Sequence, residues 1–184
     1  MIYKCGEPVM EKVERMPYPK VNTFAAATYG DRKAIFNEPI THLNISSIRE
    51  ACDSYIKFTD ENPTTFQSFI GFDLFDSEKF SKVPSNSTAF HSRKSFYNVN
   101  IFQRWKNEQD DEIVHDWAKS IQKIFSKDGY DDDNKPLYIN FESKEHYNEE
   151  KMRRLFGRNL ERLKELKRKY DQNVLFRRGA IIWP

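Results

Sequence analysis

The chain has 184 residues, with 30 lysines and arginines against 28 aspartates and glutamates, a formal charge of +2. That length suits one domain with a real core, and the balanced charge leaves no electrostatic footprint for nucleic acid. No apolar run approaches the roughly 18 residues of a membrane helix, so no membrane partner is expected.

Residues 1–16 are mixed and polar and read as an N-terminal edge. The start, MIYKCGEPVMEK, lacks the apolar core of a secretory leader. Cys5 and Cys52 form no CxxC pair, which favours reduced, inert thiols. MPYPKVNTFAAATYG (16–30) opens on two prolines and predicts an extended approach. SSIREACDSYIKF (46–58) sets Ile48, Ala51, Cys52, Tyr55 and Ile56 at helical spacing. Ser46 or Ser47 is its expected cap, and Pro63 closes the unit. TTFQSFIGFDLF (64–75) is rich in aromatic and β-branched residues and predicts a strand, with EKFSKV (78–83) as its hairpin partner.

SFYNVNIFQRW (95–105) is the most informative strand. Tyr97, Val99, Ile101, Gln103 and Trp105 share one face; Phe96, Asn98, Asn100, Phe102 and Arg104 share the other. QDDEIVHDWAKSIQKIF (109–125) predicts a helix with Ile113, Trp117, Ile121, Ile124 and Phe125 as its apolar stripe and acidic residues in its first turn. KDGYDDDNKP (127–136) is a loop. PLYINFESKE (136–145) alternates, so we expect a strand with Tyr138 and Asn140 on one face and Leu137, Ile139 and Phe141 on the other. Residues 148–171 predict a helix interrupted near Gly157, with Leu160, Leu163, Leu166 and Tyr170 on its buried side. The tail, QNVLFRRGAIIWP, must dock, or Val174, Leu175, Phe176, Ile181, Ile182 and Trp183 form an exposed apolar patch. Strands and helices without βαβ regularity predict an α+β fold, a mostly antiparallel sheet with helices packed on one face.

Few of the polar residues form a recognisable site. His42, His91, His115 and His146 have no metal-ligand spacing. Asp131, Asp132 and Asp133 lack the alternation of a calcium loop. Six scattered glycines write no phosphate-binding loop and no nucleophile elbow. Two strands stand out. Asn98 and Asn100 lie beside Phe96 and Phe102, and Tyr138 and Asn140 share a face of the next strand. Amides and a phenol among aromatic rings suit the orientation of a polar ligand in an apolar cleft. The alternatives are a solvated sheet face, or amides that pair with each other across the sheet.

Three stretches together resemble a known family: VPSNSTAFHSRKSFYNVNIFQRW, then YINF, then FGRNLERLKELKRKYDQNVLFR. They are similar to the C-terminal half of the berberine bridge enzyme-like FAD-linked oxidases. The matching positions are Thr88, Ala89, Phe90 and Arg93; Tyr138 and Asn140; Gly157, Asn159, Arg162 and Leu163; and Lys167, Tyr170, Asp171, Phe176 and Arg177. The resemblance runs over residues 17–177, with a berberine-like segment at about 136–184. It implies that residues 17–184 form the substrate domain of a flavoenzyme, and that a separate FAD-binding domain, whose Arg-Ser-Gly-Gly-His stretch has no counterpart here, is absent from this chain.

Members of this family are often secreted. They oxidise alcohols, sugars or amine-type small molecules, pass a hydride to FAD and usually return electrons to oxygen. The resemblance implies that this chain serves FAD without holding it firmly, with a FAD-binding half in trans or self-association through the sheet face as the partner. The other expectation is a non-enzymatic remnant or partner-binding module. Tyr138 is the implied base or substrate orienter, and Asn98, Asn100, Phe102 and Asn140 the implied substrate contacts. Asn100 stands where relatives carry Glu or Gln, and an amide can only orient. The second Tyr of the family's Tyr-x-Asn-Tyr is Phe141, which strand parity puts on the opposite face. The polar residues that usually follow Phe-Arg are replaced by Arg178, Gly179 and Ala180.

Overall fold

A computed structural model of the chain describes residues 14–23, 29–65, 67–94, 96–131, 135–141, 147–178 and 181–183. Cys5, Asp132, Asp133, His146, Gly179 and Ala180 lie outside the described residues, as does 142–145 of the expected second strand. The chain divides into two compact units, residues 1–31 and 32–184. In the first, Tyr18–Thr23 is a 3-10 helix, with the Lys20 amide donating to the Pro17 carbonyl at 2.9 Å. This corrects the extended approach expected there. Proline's fixed φ suits a tight helical turn as well as an extended one.

The second unit is α+β. Strands β1 (Arg32–Ile40), β2 (Phe69–Asp73) and β3 (Tyr97–Trp105) form an antiparallel sheet in the order β1-β3-β2. Helices α1 (Ile45–Glu61) and α3 (Asp111–Ser126) cover one face. β3 is the central strand, with two faces as its alternation predicts. Val99, Ile101 and Trp105 enter the core with Ile40, Ala51, Phe58, Trp117, Ile121 and Phe125. Phe58 stacks on Trp117 with ring centroids 4.5 Å apart, and the Trp117 indole donates to Ser54 Oγ at 3.0 Å.

Several local expectations are corrected. β1 was not foreseen, because Asn37 and Pro39 interrupt its apolar pattern. Pro39 is tolerated because β1 is an edge strand and needs a ladder donor on one side only. EKFSKV is no hairpin partner: Glu78–Ser81 is a short helix, α2, and β2 pairs with β3 instead. The α3 stripe is Val114, Trp117, Ala118, Ile121 and Phe125, while Ile113 is exposed. That set keeps the i, i+3, i+4, i+7 spacing better than one starting at Ile113. On α1, Cys52 and Ile56 are exposed, and the cap is Asn44, whose Oδ1 accepts from the Ser46 amide at 3.0 Å.

The YINF stretch is a 3-10 turn, Ile139–Phe141, and not a strand. The Phe141 amide donates to the Tyr138 carbonyl at 2.9 Å. A strand must find ladder partners for its backbone, whereas a 3-10 turn satisfies its own. The change of period matters, since positions i and i+3 eclipse in a 3-10 helix. Phe141 therefore stands beside Tyr138, with ring centroids 5.1 Å apart, and not on an opposite face.

The expected C-terminal helix divides at Gly157 into α4 (Glu149–Phe156) and α5 (Asn159–Tyr170). Gly157 has φ +51°, and a Cβ there would strike the His91 ring. Leu137, Met152, Leu155 and Leu160 form a second core cluster. Leu163 and Leu166 are half-buried and Tyr170 is exposed. The tail docks in part: Ile182 packs on the second cluster, whereas Leu175, Phe176 and Trp183 are exposed.

Candidate functional site

The sheet face away from α1 and α3 carries the polar residues of β3. Asn98 and Asn100 are 6% and 2% exposed, so neither is simply solvated. The β1–β3 register sets Asn37 opposite Asn100, and Asn37 Nδ2 donates to Asn98 Oδ1 at 3.0 Å and to Asn100 Oδ1 at 3.1 Å. Asn100 Nδ2 in turn donates to Asp73 Oδ2 at 2.6 Å. The result is a chain of amides across all three strands, ending on a carboxylate. A buried polar network of this kind is stable only when its members are matched.

Next to that network is a cleft of about 380 Å3. Buried Asn98 and exposed Asp73 supply its polar lining with Arg93, and Phe75, Phe80, Phe90, Phe96, Tyr138 and Phe141 supply aromatic walls. The walls come from several segments. Phe75 follows β2, Phe80 is on α2, Phe90 and Phe96 precede β3, Tyr138 stands just before the 3-10 turn and Phe141 ends it. Phe75, Phe80 and Phe96 meet edge-on or tilted at 6.1–6.2 Å, which is favoured aromatic geometry. Arg93 lies 5.1 Å from the Phe90 ring centroid and donates from Nη2 to Thr88 Oγ1 at 2.7 Å.

Of the residues expected at a site, Asn98 and Tyr138 come together in this cleft. Asn100 stands behind it, joined through Asp73. Asn140 is exposed and donates from Nδ2 to the Tyr138 hydroxyl at 2.8 Å. Phe102 lies farther along the sheet, stacked on Phe69 at 4.4 Å. Sequence reading missed Asp73, Phe75, Phe80 and the role of Arg93. The only signal for Asp73 was its parity with Phe69 in a strand whose partner was misassigned.

Other motif residues have structural work. Asn159 Nδ2 donates to the carbonyls of Ser85 at 2.6 Å and Thr88 at 3.0 Å, pinning the loop before β3. Asp171 caps the end of α5: Oδ1 accepts from the Leu175 amide at 2.7 Å, Oδ2 from the Phe176 amide at 3.1 Å, and Lys167 pairs with the same carboxylate. Those bonds, Lys167 first, hold the Asp171 carboxyl below the usual carboxylate range. Among the described residues no group of His, Cys, Asp and Glu could hold a metal ion, and no helix is long and apolar enough to cross a membrane.

Comparison with known proteins places these features in context. Residues 137–180 match the family described as berberine and berberine like. The FAD-linked oxidoreductase iacH of Pestalotiopsis fici is 25% identical over 166 residues, covering 87% of this chain and 32% of that protein. Berberine bridge enzyme from Eschscholzia californica superimposes with a TM-score of 0.60 at 15% identity, over 90% of this chain and 36% of that one. Chitooligosaccharide oxidase gives a TM-score of 0.63 at 17% identity, over 90% of this chain and 38% of that one. The structural likeness is one of fold, and this chain spans about a third of the length of the relatives it matches. In the sequence of residues 137–180 and in the fold of most of its length, the chain resembles the C-terminal region of the berberine bridge enzyme-like FAD-linked oxidoreductases.

Proposed function

We propose that this chain is the substrate-side module of a FAD-dependent oxidoreductase that oxidises an alcohol, sugar or related small molecule. The observation that carries the proposal is the cleft where Tyr138 and Asn98 meet the Asp73 carboxylate among aromatic rings. Its lining fits the uncovered side of a flat ring system better than it fits a site for holding one. Phenylalanine rings offer stacking surface but no attachment point, and Cys52 is exposed on α1, which packs on the opposite face of the sheet. FAD, if held by a separate domain, would supply the two-electron acceptor for such an oxidation.

The residues of this chain then have two tasks. Aromatic walls confine the substrate. Asp73 accepts the hydroxyl proton as the C–H bond is lost, since it is the one carboxylate among the described lining residues. Asn100 holds Asp73 in place by its 2.6 Å hydrogen bond. An amide on β3 thus supports a carboxylate on β2. Tyr138, steadied by Asn140, orients the substrate oxygen.

The test reconstitutes the chain with a FAD-binding half produced separately and follows bleaching of the flavin band on adding substrate. Asp73→Asn is expected to slow reduction by about 10²–10⁴-fold, the usual contribution of a general base. Tyr138→Phe is expected to weaken substrate binding more than it slows reduction. Wild-type pairs that retain flavin but show no reduction with alcohols or sugars would sink the enzyme reading. A partner-binding module is the second reading, favoured by the exposed Leu175, Phe176 and Trp183.

A further inference from the structure

Two short motifs lie outside everything assigned above. Asn44, Ile45 and Ser46 form one Asn-x-Ser/Thr triplet, and Asn86, Ser87 and Thr88 form another. Such a triplet is the acceptor pattern for an N-linked oligosaccharide, a bulky polar group that needs open surface. A pattern of three residues is also written often by chance, and the structure separates the two.

Asn44 is committed to the fold through both polar atoms of its side chain. Oδ1 accepts from the Ser46 amide at 3.0 Å and caps α1. Nδ2 donates to Asp128 Oδ1 at 2.9 Å, and Asp128 is 3% exposed. A sugar on Nδ2 would bring a ring against a buried carboxylate and pull the cap from the helix. Asn86 is the opposite case. It is exposed on the turn of residues 84–87, where the Ser87 amide and Ser87 Oγ donate to the Pro84 carbonyl at 3.0 and 2.8 Å. Its own side chain enters no hydrogen bond or ion pair among the described residues. Asn159 Nδ2 holds the Ser85 and Thr88 carbonyls on either side, so the turn keeps its shape without the Asn86 amide.

We propose that Asn86 is an N-glycan attachment site of this protein and that Asn44 is not. In the transfer, Asn86 Nδ2 attacks the anomeric carbon of an oligosaccharide carried on a lipid diphosphate. The N–C bond forms, the C–O bond to the diphosphate breaks, and the lipid diphosphate leaves. Nδ2 gives up one proton to solvent, and no group is oxidised or reduced. Both asparagines are open on the unfolded chain, so folding makes the choice. A chain sugared at Asn44 loses the α1 cap and crowds Asp128, whereas one sugared at Asn86 folds unchanged. The proposal does not rest on the oxidase reading, since neither flavin nor substrate enters it.

The experiment produces the full chain behind a cleavable secretory leader in a eukaryotic host. Glycans are released from the soluble secreted protein by an amidase that turns the carrier asparagine into aspartate. Mass spectrometry then reads tryptic peptides 34–49 and 83–93, which hold one motif each. Conversion at position 86 with an intact asparagine at 44 is the expected result. Asn86→Gln is expected to remove the glycan. Ser46→Ala, which destroys the Asn44 motif but keeps the backbone amide that the cap uses, is expected to leave the glycan in place. In chain made without glycans, Asn86→Gln is expected to leave the urea midpoint unchanged and Asn44→Gln to lower it. A secreted wild-type chain with Asn86 bare overturns the proposal. So does conversion of Asn44 to the same extent as Asn86 in the soluble protein, or an Asn44→Gln chain as stable as the wild type.

Discussion

Asn37 shows how much one side chain can decide in this molecule. Its amide is the donor for both Asn98 and Asn100, which are too buried for water to replace it freely. Asn37→Ala is therefore expected to destabilise the fold by about 2 kcal/mol, the cost of stranding buried carbonyl oxygens, as read by urea unfolding. It should also loosen Asp73, since Asn100 would be held from one side only. An unchanged unfolding midpoint would mean that the network is not matched as described. Asn37 was not legible as important, because an isolated asparagine carries no pattern. Its partners were legible as a pair, from the alternation of β3, and the structure chose between the readings that alternation allowed. The amides do pair across the sheet, yet Asn98 also borders the cleft.

At the scale of elements, the helices follow local rules closely. Asn148 caps α4 by accepting from the Lys151 amide at 2.8 Å, and Gly157 supplies the positive φ between α4 and α5. The end of α5 depends on a charge. Asp171 titrates below the ordinary carboxylate range, so the folded chain binds its proton less readily than the unfolded chain does. Its contribution is complete above the unfolded value, near about 4, and is lost as pH falls through the lower folded value. Acid unfolding of the wild-type chain should steepen in that window, and Asp171→Asn should remove part of the steepening. If the two chains show the same acid limb, the cap does not carry this linkage. The 3-10 turn at Ile139–Phe141 is the counter-example. The alternation of Leu137 to Phe141 read as a strand, because periods of two and three are not separable over so short a run.

At the scale of the whole molecule, the sheet has two unlike sides. α1 and α3 seal one, while Ile35 and Phe69 on the other are 38% and 51% exposed. Ile35 and Phe69 lie opposite the same residue of β3, Phe102, so they form one apolar band across three strands. Such a surface seldom stays bare in water. The isolated chain is expected to self-associate as its concentration rises, as followed by sedimentation velocity. Phe69→Ser should shift it toward monomer, and a wild-type chain that stays monomeric throughout would argue against this band as a contact surface. Supplying a FAD-binding half in trans should compete with self-association if both use this band.

By itself, the sequence determined the α+β class, helices α1 and α3, the C-terminal helical stretch with its interruption at Gly157, the central strand and the motifs shared with the berberine-like family. These depend on periodicity, capping and short spacings, all carried by neighbouring residues. Only the tertiary structure decided that Tyr138 belongs to a turn, that Phe141 stands beside it, and that Asp73 meets Asn98 in an aromatic cleft. The cleft depends on strand register and on loops brought together from distant parts of the chain, which no local pattern encodes, and the turn on a run too short for its period to be told from a strand's. YINF therefore still borders a site, but through the eclipsed positions of a 3-10 turn and not through the alternating face of a strand.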